Sequence, residues 1–202
     1  MEKIESVIFD WGGVLIDNPA PGLMQYCAQE LGVFKENCEK THGKFVADFE
    51  KGLISEDIFW DRVCSELKVP KPKVSSLWTD AFKAIYSPKE EMFSTATRLK
   101  KNGYKTALLS NTEIPTTKYF YHLGYDMFDV LVFSCLEGTR KPEKKIYELT
   151  IQRLGSQPEQ SVFIDDKPEY IEGAKQAGLR TILFENVSQV MNALAGFGVT
   201  ID

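Results

Sequence analysis

Five side chains with catalytic potential stand at the ends of short apolar runs or beside a proline. Asp10 follows one apolar run, Ser110 a second, and Asp165 and Asp166 end a third, while Lys141 precedes a proline. Crowded carboxylates repel each other, and a divalent cation relieves the repulsion; oxygen ligands favour Mg²⁺. A serine hydroxyl, an adjacent backbone N–H and a lysine can bind phosphate oxygens. With one carboxylate left to attack phosphorus, this inventory suits phosphoryl transfer through an aspartyl-phosphate.

The spacing of apolar residues predicts the elements that bring these side chains together. After residue 88, short apolar runs of strand length alternate with stretches of helical period, several of which end at a glycine. One further buried strand is predicted near the N-terminus. This alternation predicts an α/β fold, a doubly wound parallel sheet with helices on both faces. Ligands bind such sheets at the carboxyl ends of the strands, where the five side chains would meet. The predicted strands cover 5–9, 106–110, 130–133, 161–165 and 180–184, and the helices 89–102, 115–123, 142–154, 168–177 and 187–195.

The segment between the first strand and residue 88 has a different character. It contains no convincing strand but four helical stretches, and Ser55 is a plausible N-cap of the third. We therefore predict an α/β core formed by residues 1–16 and 88–202, with an α-helical module inserted at 17–87. The four helices are predicted around 24–31, 37–50, 56–67 and 74–86.

Composition excludes several classes of protein. The chain has 202 residues, of which 43% are hydrophobic and 26% charged, with a net charge of -5. The absence of a basic stripe argues against a nucleic-acid partner. The four cysteines form no CxxC pair, and no segment has the pattern of a signal peptide or membrane span. The sequence thus predicts a cytoplasmic protein with no membrane or nucleic-acid partner, either a monomer or a homodimer.

Four segments resemble, in the right order, the motifs of the haloacid dehalogenase-like hydrolase superfamily. They span almost the whole chain, and the helical insertion resembles that family's C1-type cap. The insertion also contains KGLISEDIFWDRVCSEL, which is similar to phosphatases of the sugar-1-phosphate branch. The resemblance implies a Mg²⁺-dependent phosphatase that acts on a small phosphorylated metabolite, such as a sugar phosphate. The four segments are VIFDWGGVLID, ALLSNT, EGTRKPEKKIYEL and VFIDDKPEYIEGAKQAGL.

The same resemblance implies a role for each matching residue. Asp10 would be the nucleophile. Ser110, with Asn111, and Lys141 would bind the transferring phosphoryl group, and Lys141 would also be catalytic. The metal site would consist of Asp10, the backbone carbonyl of Gly12, and the acidic pair, in which Asp166 binds Mg²⁺ directly and Asp165 supports it.

Gly12 is the main departure from the family pattern. The usual residue there is an aspartate that protonates the leaving alcohol, and a positioned general acid contributes about 10²–10⁴ in rate. We therefore expect a slower enzyme, better with low-pKa leaving groups, and expect Gly12→Asp to help poor leaving groups. His42 in the insertion could replace the acid, although a packing role is the default interpretation.

Two other functions remain open at this point. A haloacid dehalogenase uses the same type of aspartate nucleophile without a metal, but the acidic pair Asp165-Asp166 argues against it. A catalytically silent phosphate-binding or regulatory protein is favoured by Gly12. The presence of Asp10, Lys141 and Asp166 argues against this second alternative, because a binding module needs no nucleophile.

Overall fold

A computed structural model, which describes residues 2–201, contains one sheet of five parallel strands. The three central strands are buried or nearly so, because their apolar runs are covered on both faces. The order across the sheet is β3-β2-β1-β4-β5, with Phe9 opposite both Leu108 and Ile164 in register. The strands are β1 (Ser6–Phe9), β2 (Lys105–Ser110), β3 (Val130–Phe133), β4 (Ser161–Asp165) and β5 (Arg180–Leu183).

Helices cover both faces of this sheet, as the sequence predicts. Successive strand residues point to opposite faces, so Val7 and Ile8 belong to different apolar clusters. The cluster around Ile8 includes residues of α8 and α9, and the cluster around Val7 includes residues of α5 and α10. The helices after the insertion are α5 (Glu90–Lys101), α6 (Ile114–Leu123), α7 (Ser134–Glu137), α8 (Lys144–Leu154), α9 (Pro168–Gln176) and α10 (Val187–Gly196), with a 3₁₀ turn at Pro158–Gln160.

Four helices separate β1 from α5, and we call them the helical module. Helix α1 packs against both α2 and α4, and α2 packs against α3. Helix α4 also contacts α6 of the core. The Ser55 hydroxyl accepts a hydrogen bond from the Ile58 N–H at 3.3 Å, which confirms the predicted N-cap. The four helices are α1 (Ala20–Leu31), α2 (Lys35–Glu50), α3 (Glu56–Leu67) and α4 (Leu77–Ile85).

The two chain segments that connect the module to the core run side by side. The N–H of Asp17 donates to the carbonyl of Ser87 at 2.9 Å, and the Ser87 hydroxyl donates to the Asp17 carboxylate at 2.8 Å. Lys89 forms an ion pair with Asp17 at 3.1 Å. The division into a core of 1–16 and 88–202 and an insertion of 17–87 remains a prediction, and its boundaries coincide with these contacts.

Some predicted helix starts are wrong. The helix predicted around 24 begins at Ala20, and the helix predicted around 74 begins at Leu77. The helix predicted from Pro142 begins at Lys144, because residues 140–143 form a turn in which the N–H of Glu143 donates to the carbonyl of Arg140 at 2.8 Å. The four cysteines are buried and free of disulfides, and among residues 2–201 no helix has the length and apolar character that crossing a membrane requires.

Candidate active site

The site lies where the order of the strands changes direction. The chain runs outward from β1 to β2 and β3, and then crosses back to place β4 on the other side of β1. Asp10 directly follows β1 and Asp165 ends β4, and the N–H of Asp10 donates to the carbonyl of Ile164 at 2.9 Å. Such a switch point is the usual ligand crevice of an open α/β sheet. Two carboxylates therefore lie side by side in the crevice.

Lys141 bridges these carboxylates. Its Nζ atom donates to Asp10 Oδ1 at 2.7 Å and to Asp165 Oδ2 at 2.6 Å, and the lysine is completely buried. Burial alone would lower the pKa of Lys141, but the charges and hydrogen bonds of Asp10 and Asp165 outweigh it and raise that pKa above its ordinary value. The lysine is therefore a permanent positive charge beside Asp10.

Asn111 positions Lys141 through the backbone. Its side-chain oxygen accepts from the Lys141 N–H at 2.8 Å, and its amide nitrogen donates to the Lys141 carbonyl at 3.0 Å and to the Tyr170 hydroxyl at 3.2 Å. The side chain of Asn111, predicted to bind phosphate, is thus engaged in holding the turn that carries Lys141. Ser110, the last residue of β2, lines the same cavity as Asp10 and Lys141.

The acidic residues form a cluster that fits a divalent cation. Asp10, Asp165 and Asp166 each place a carboxylate oxygen within 4.8 Å of the other two. Both oxygens of Asp165 have donors within the protein, Lys141 on Oδ2 and the N–H of Lys167 on Oδ1 at 2.9 Å. Asp166 Oδ1, in contrast, is buried with no hydrogen-bond partner among the described residues. A buried carboxylate oxygen without a hydrogen-bond partner, next to a second carboxylate, is suited to ligate a metal ion.

The missing side chain of Gly13 leaves room for the Asp166 carboxylate. Gly13 has a positive φ of 98°, and a Cβ atom at this position would lie 2.3 Å from Asp166 Oδ2. Any side chain there would displace the carboxylate. Burial, and then the charge of Asp165, raise the pKa of Asp166, which is the direction expected for a buried carboxyl group beside another carboxylate.

Pro19 occupies the space next to Gly12. A Cβ atom on Gly12 would lie 2.9 Å from Pro19 Cδ and 3.3 Å from Pro19 Cγ. The expectation that Gly12→Asp supplies an acid did not include this obstacle, which sequence spacing does not reveal. An aspartate at position 12 requires the start of α1 to move.

The cavity above the carboxylates has a volume of about 350 Å³ and is lined by both the core and the module. Asp10, Ser110, Lys141 and Lys167 line its polar end. The other walls are mainly apolar, with a few polar side chains among them, and their residues include Ile16, Pro19, Leu23, Met24, His42, Val46, Glu50, Trp78, Phe82 and Glu113.

The sequence analysis missed one of these wall residues, Glu113, and left the role of another, His42, open. Glu113 directly follows the segment ALLSNT, but its side chain gains a partner only in the fold, where Trp78 Nε1 of α4 donates to Glu113 Oε2 at 2.8 Å. His42, considered as a replacement acid, is stacked on Trp78 with ring centroids 5.4 Å apart, and burial lowers its pKa to about 4. His42 is therefore neutral at neutral pH.

The fold and the acidic site define a class of hydrolase, and comparison with known proteins identifies its family. The sequence profile of haloacid dehalogenase-like hydrolases matches residues 4–178. The chain belongs to the haloacid dehalogenase-like hydrolase family. The sequence-based assignments to this family, to an α/β fold and to a hydrolase are confirmed.

Three relatives illustrate the range of this family. Mouse acyl-CoA dehydrogenase family member 10 is 31% identical over 209 residues, which cover 95% of this chain and only 19% of that protein. The sesquiterpene phosphatase astK of Aspergillus oryzae is 26% identical, over 87% of each chain. A crystal structure of a family enzyme from Bacteroides thetaiotaomicron, in complex with magnesium and inorganic phosphate, has a TM-score of 0.72 at 22% identity and covers 93% of this chain and 98% of its own.

Proposed function

We propose that this protein is a Mg²⁺-dependent phosphatase that hydrolyses a small phosphorylated metabolite, such as a sugar phosphate, through an aspartyl-phosphate on Asp10. One observation carries the proposal: a buried lysine orients Asp10 at the switch point of the sheet, next to Asp166, whose Oδ1 atom is buried without a hydrogen-bond partner in residues 2–201. The phosphatase among the relatives and the magnesium and phosphate in the related crystal structure support the same chemistry.

The residues of the chain have separate tasks in this reaction. Lys141 donates to Oδ1 of Asp10 and thus fixes the orientation of the carboxylate, with Oδ2 as the oxygen available to attack phosphorus. Lys141 and the Ser110 hydroxyl then stabilise negative charge on the phosphoryl oxygens. The oxygen of the leaving alcohol departs as the bond from Asp10 to phosphorus forms. Water afterwards cleaves the aspartyl-phosphate and releases inorganic phosphate.

The acidic cluster has the donor set that Mg²⁺ favours. Asp10, Asp166 and the carbonyl of Gly12 would hold the ion directly, and Asp165 would support the site through Lys141 and the N–H of Lys167. The bound ion supplies positive charge at the transferring phosphoryl group.

The cavity sets the size of the substrate. Its volume of about 350 Å³ lies near the lower end of the range for small-molecule sites, about 300–1,000 Å³. Because the helical module supplies much of the wall, we propose that it acts as a C1-type cap that admits small phosphate esters and excludes phosphoproteins.

The test is phosphate release from a panel of sugar phosphates, nucleotides and an aryl phosphate, with Mg²⁺ and with EDTA. We expect release that EDTA abolishes, and a loss on the order of 10⁴-fold or more in Asp10→Asn. Asp126→Asn, at an exposed loop position, is the matched control and should keep full activity.

The two alternatives give different results in the same experiment. If the protein releases halide from a haloacid and EDTA does not reduce this release, the protein is a dehalogenase. No turnover of any ester, with Mg²⁺ binding intact, would identify a silent binding protein. Either outcome would contradict the proposed phosphatase.

A further inference from the structure

The reaction proposed above needs a proton donor on the leaving-group side of the cavity. When Asp10 takes the phosphoryl group, the ester oxygen departs with the electron pair of its bond to phosphorus. An alkoxide is a poor leaving group, and a positioned acid that protonates it contributes about 10²–10⁴ in rate. Gly12 has no side chain to do this, so the proton must come from elsewhere on the wall.

Three wall residues can be set aside by their contacts. Lys141 is held between two carboxylates. Burial keeps His42 neutral, since its pKa is lowered to about 4, so it carries no acidic imidazolium proton at neutral pH. Burial raises the pKa of Glu50, the last residue of α2, but its carboxylate forms an ion pair with Arg140 at 3.0 Å, which favours the charged form. Among the ion pairs of residues 2–201, none involves the neighbouring carboxyl group of Glu113.

Glu113 is held in a defined orientation. Its Oε2 atom accepts hydrogen bonds from Trp78 Nε1 at 2.8 Å and from the Thr116 hydroxyl at 3.2 Å. It stands three residues after Ser110, as the N-cap residue of α6, and only 7% of it is exposed. Because both side-chain donors occupy Oε2, we assign the proton of the neutral acid to the other oxygen, Oε1.

The surroundings of Glu113 keep this acid protonated. Burial, and then the negative charge of Glu50, raise the pKa of Glu113 to about 8, while the hydrogen bonds from Trp78 and Thr116 act in the opposite direction. At neutral pH most molecules therefore carry the proton that the leaving group needs.

We propose that Glu113 protonates the leaving oxygen of the substrate. In this step the bond from phosphorus to the leaving oxygen breaks, the bond from Asp10 to phosphorus forms, and the proton on Oε1 of Glu113 passes to the departing oxygen. Glu113 becomes a carboxylate. In the second step a water attacks phosphorus, the bond to Asp10 breaks, and the water's proton returns to Glu113. The inference rests on the proposed phosphatase function.

The test is the variant Glu113→Gln assayed on esters whose alcohols differ in pKa. Glutamine keeps the size of the side chain and an oxygen that accepts from Trp78 Nε1, but it cannot give up a proton. We expect kcat for an alkyl phosphate to fall by about 10²–10⁴-fold, and kcat for 4-nitrophenyl phosphate, whose leaving group needs no proton, by less than about 5-fold. Glu113→Asp should recover part of the loss for the alkyl ester.

Controls separate this role from a structural one. Glu172→Gln, at an exposed position of α9, should leave every ester unchanged. An equal loss in Glu113→Gln for all esters, or a rise in KM with unchanged kcat, would overturn the assignment. The assignment would also be overturned if the loss of kcat in His42→Gln depended on the leaving group and Glu113→Gln showed no such dependence. If the wild type releases phosphate from no ester, the phosphatase proposal fails as well. If the wild type is active and Glu113→Gln loses the same factor in kcat for every ester, only the role of Glu113 is refuted.

The pH dependence provides a second readout. The proton donor must be protonated, so kcat for the alkyl ester should decline as pH rises through about 8, and Glu113→Gln should lack this decline. Other titratable or charged groups near Glu113 are Glu50 and its partner Arg140, Cys135 of α7, and His42 on the far side of Trp78. If kcat of Glu113→Gln declines over the same pH range, the decline belongs to one of these other groups, and the proposal is contradicted.

Discussion

Replacing Lys141 by methionine tests whether this lysine is the counter-ion of the buried acidic cluster. The lysine is fully buried and bonds Asp10 at 2.7 Å and Asp165 at 2.6 Å. Methionine fills a similar volume but leaves both carboxylates without a cation. Removing one partner of a buried ion pair destabilises a protein by about 3–5 kcal/mol. In a chain of this size that corresponds to a fall in melting temperature of about 6–20 °C.

The loss in Lys141→Met should depend on pH and on magnesium. Without the lysine the pKa of Asp10, already raised by burial, rises further, so the folded state binds more protons than the unfolded state. Stability then decreases as pH rises, and the deficit of the variant should be smaller at about pH 5 than at about pH 8. Mg²⁺ at 100 times the variant's dissociation constant should stabilise the variant by about 2.7 kcal/mol, and the deficit shrinks only if the variant binds Mg²⁺ more tightly than the wild type.

The measurement is urea unfolding of the wild type and Lys141→Met at both pH values, with and without Mg²⁺. Lys144→Met is the matched control, because Lys144 is 63% exposed and pairs with Glu148 at the surface of α8. It should change the free energy of unfolding by less than about 0.5 kcal/mol. A deficit below about 1 kcal/mol in Lys141→Met, or one that does not shrink at low pH, would refute the reasoning.

Two further predictions concern the glycines of the first motif. Gly13→Ala places a Cβ atom 2.3 Å from Asp166 Oδ2, so calorimetry should show Mg²⁺ affinity reduced by about 10- to 100-fold. The control is Gly43→Ala, which lies in the interior of α2 with open space around it. It should keep the Mg²⁺ affinity of the wild type and gain about 0.5–1 kcal/mol of stability. Equal Mg²⁺ affinities in the two variants would contradict the packing argument. Gly12→Asp should lose about 1–3 kcal/mol in urea unfolding because of Pro19. Adding Pro19→Ala should return more than half of that loss, and a double variant no more stable than the single one would show that Pro19 is not the obstacle.

The sequence by itself predicted the order and type of the elements around the site. Strand length, helical period and glycine stops are local signals, and each predicted strand is present within one residue of its bounds. Helix starts were less certain: the one predicted at Pro142 falls in a turn, because Asn111, which is distant in sequence, holds the backbone of Lys141. Local propensity contains no information about such a contact.

The sequence also placed Asp10, Ser110 and the pair Asp165-Asp166 at strand ends, since parallel strands bring their carboxyl ends to one edge of a sheet. It could not tell which oxygens have partners. Only the fold engages both oxygens of Asp165 and leaves Oδ1 of Asp166 without a partner among the described residues. That difference comes from hydrogen-bond geometry, which depends on distances of a few tenths of an ångström.

Tertiary structure alone decided the leaving-group side of the cavity. Glu113 and Trp78 are 35 residues apart, and Pro19 meets Gly12 only where α1 begins. The residues that we propose bind the phosphoryl group follow strands and can be recognised by position. Those that face the rest of the substrate come from the packing of the helical module on the core, and the burial that raises the pKa of Glu113 arises only when the two are packed together.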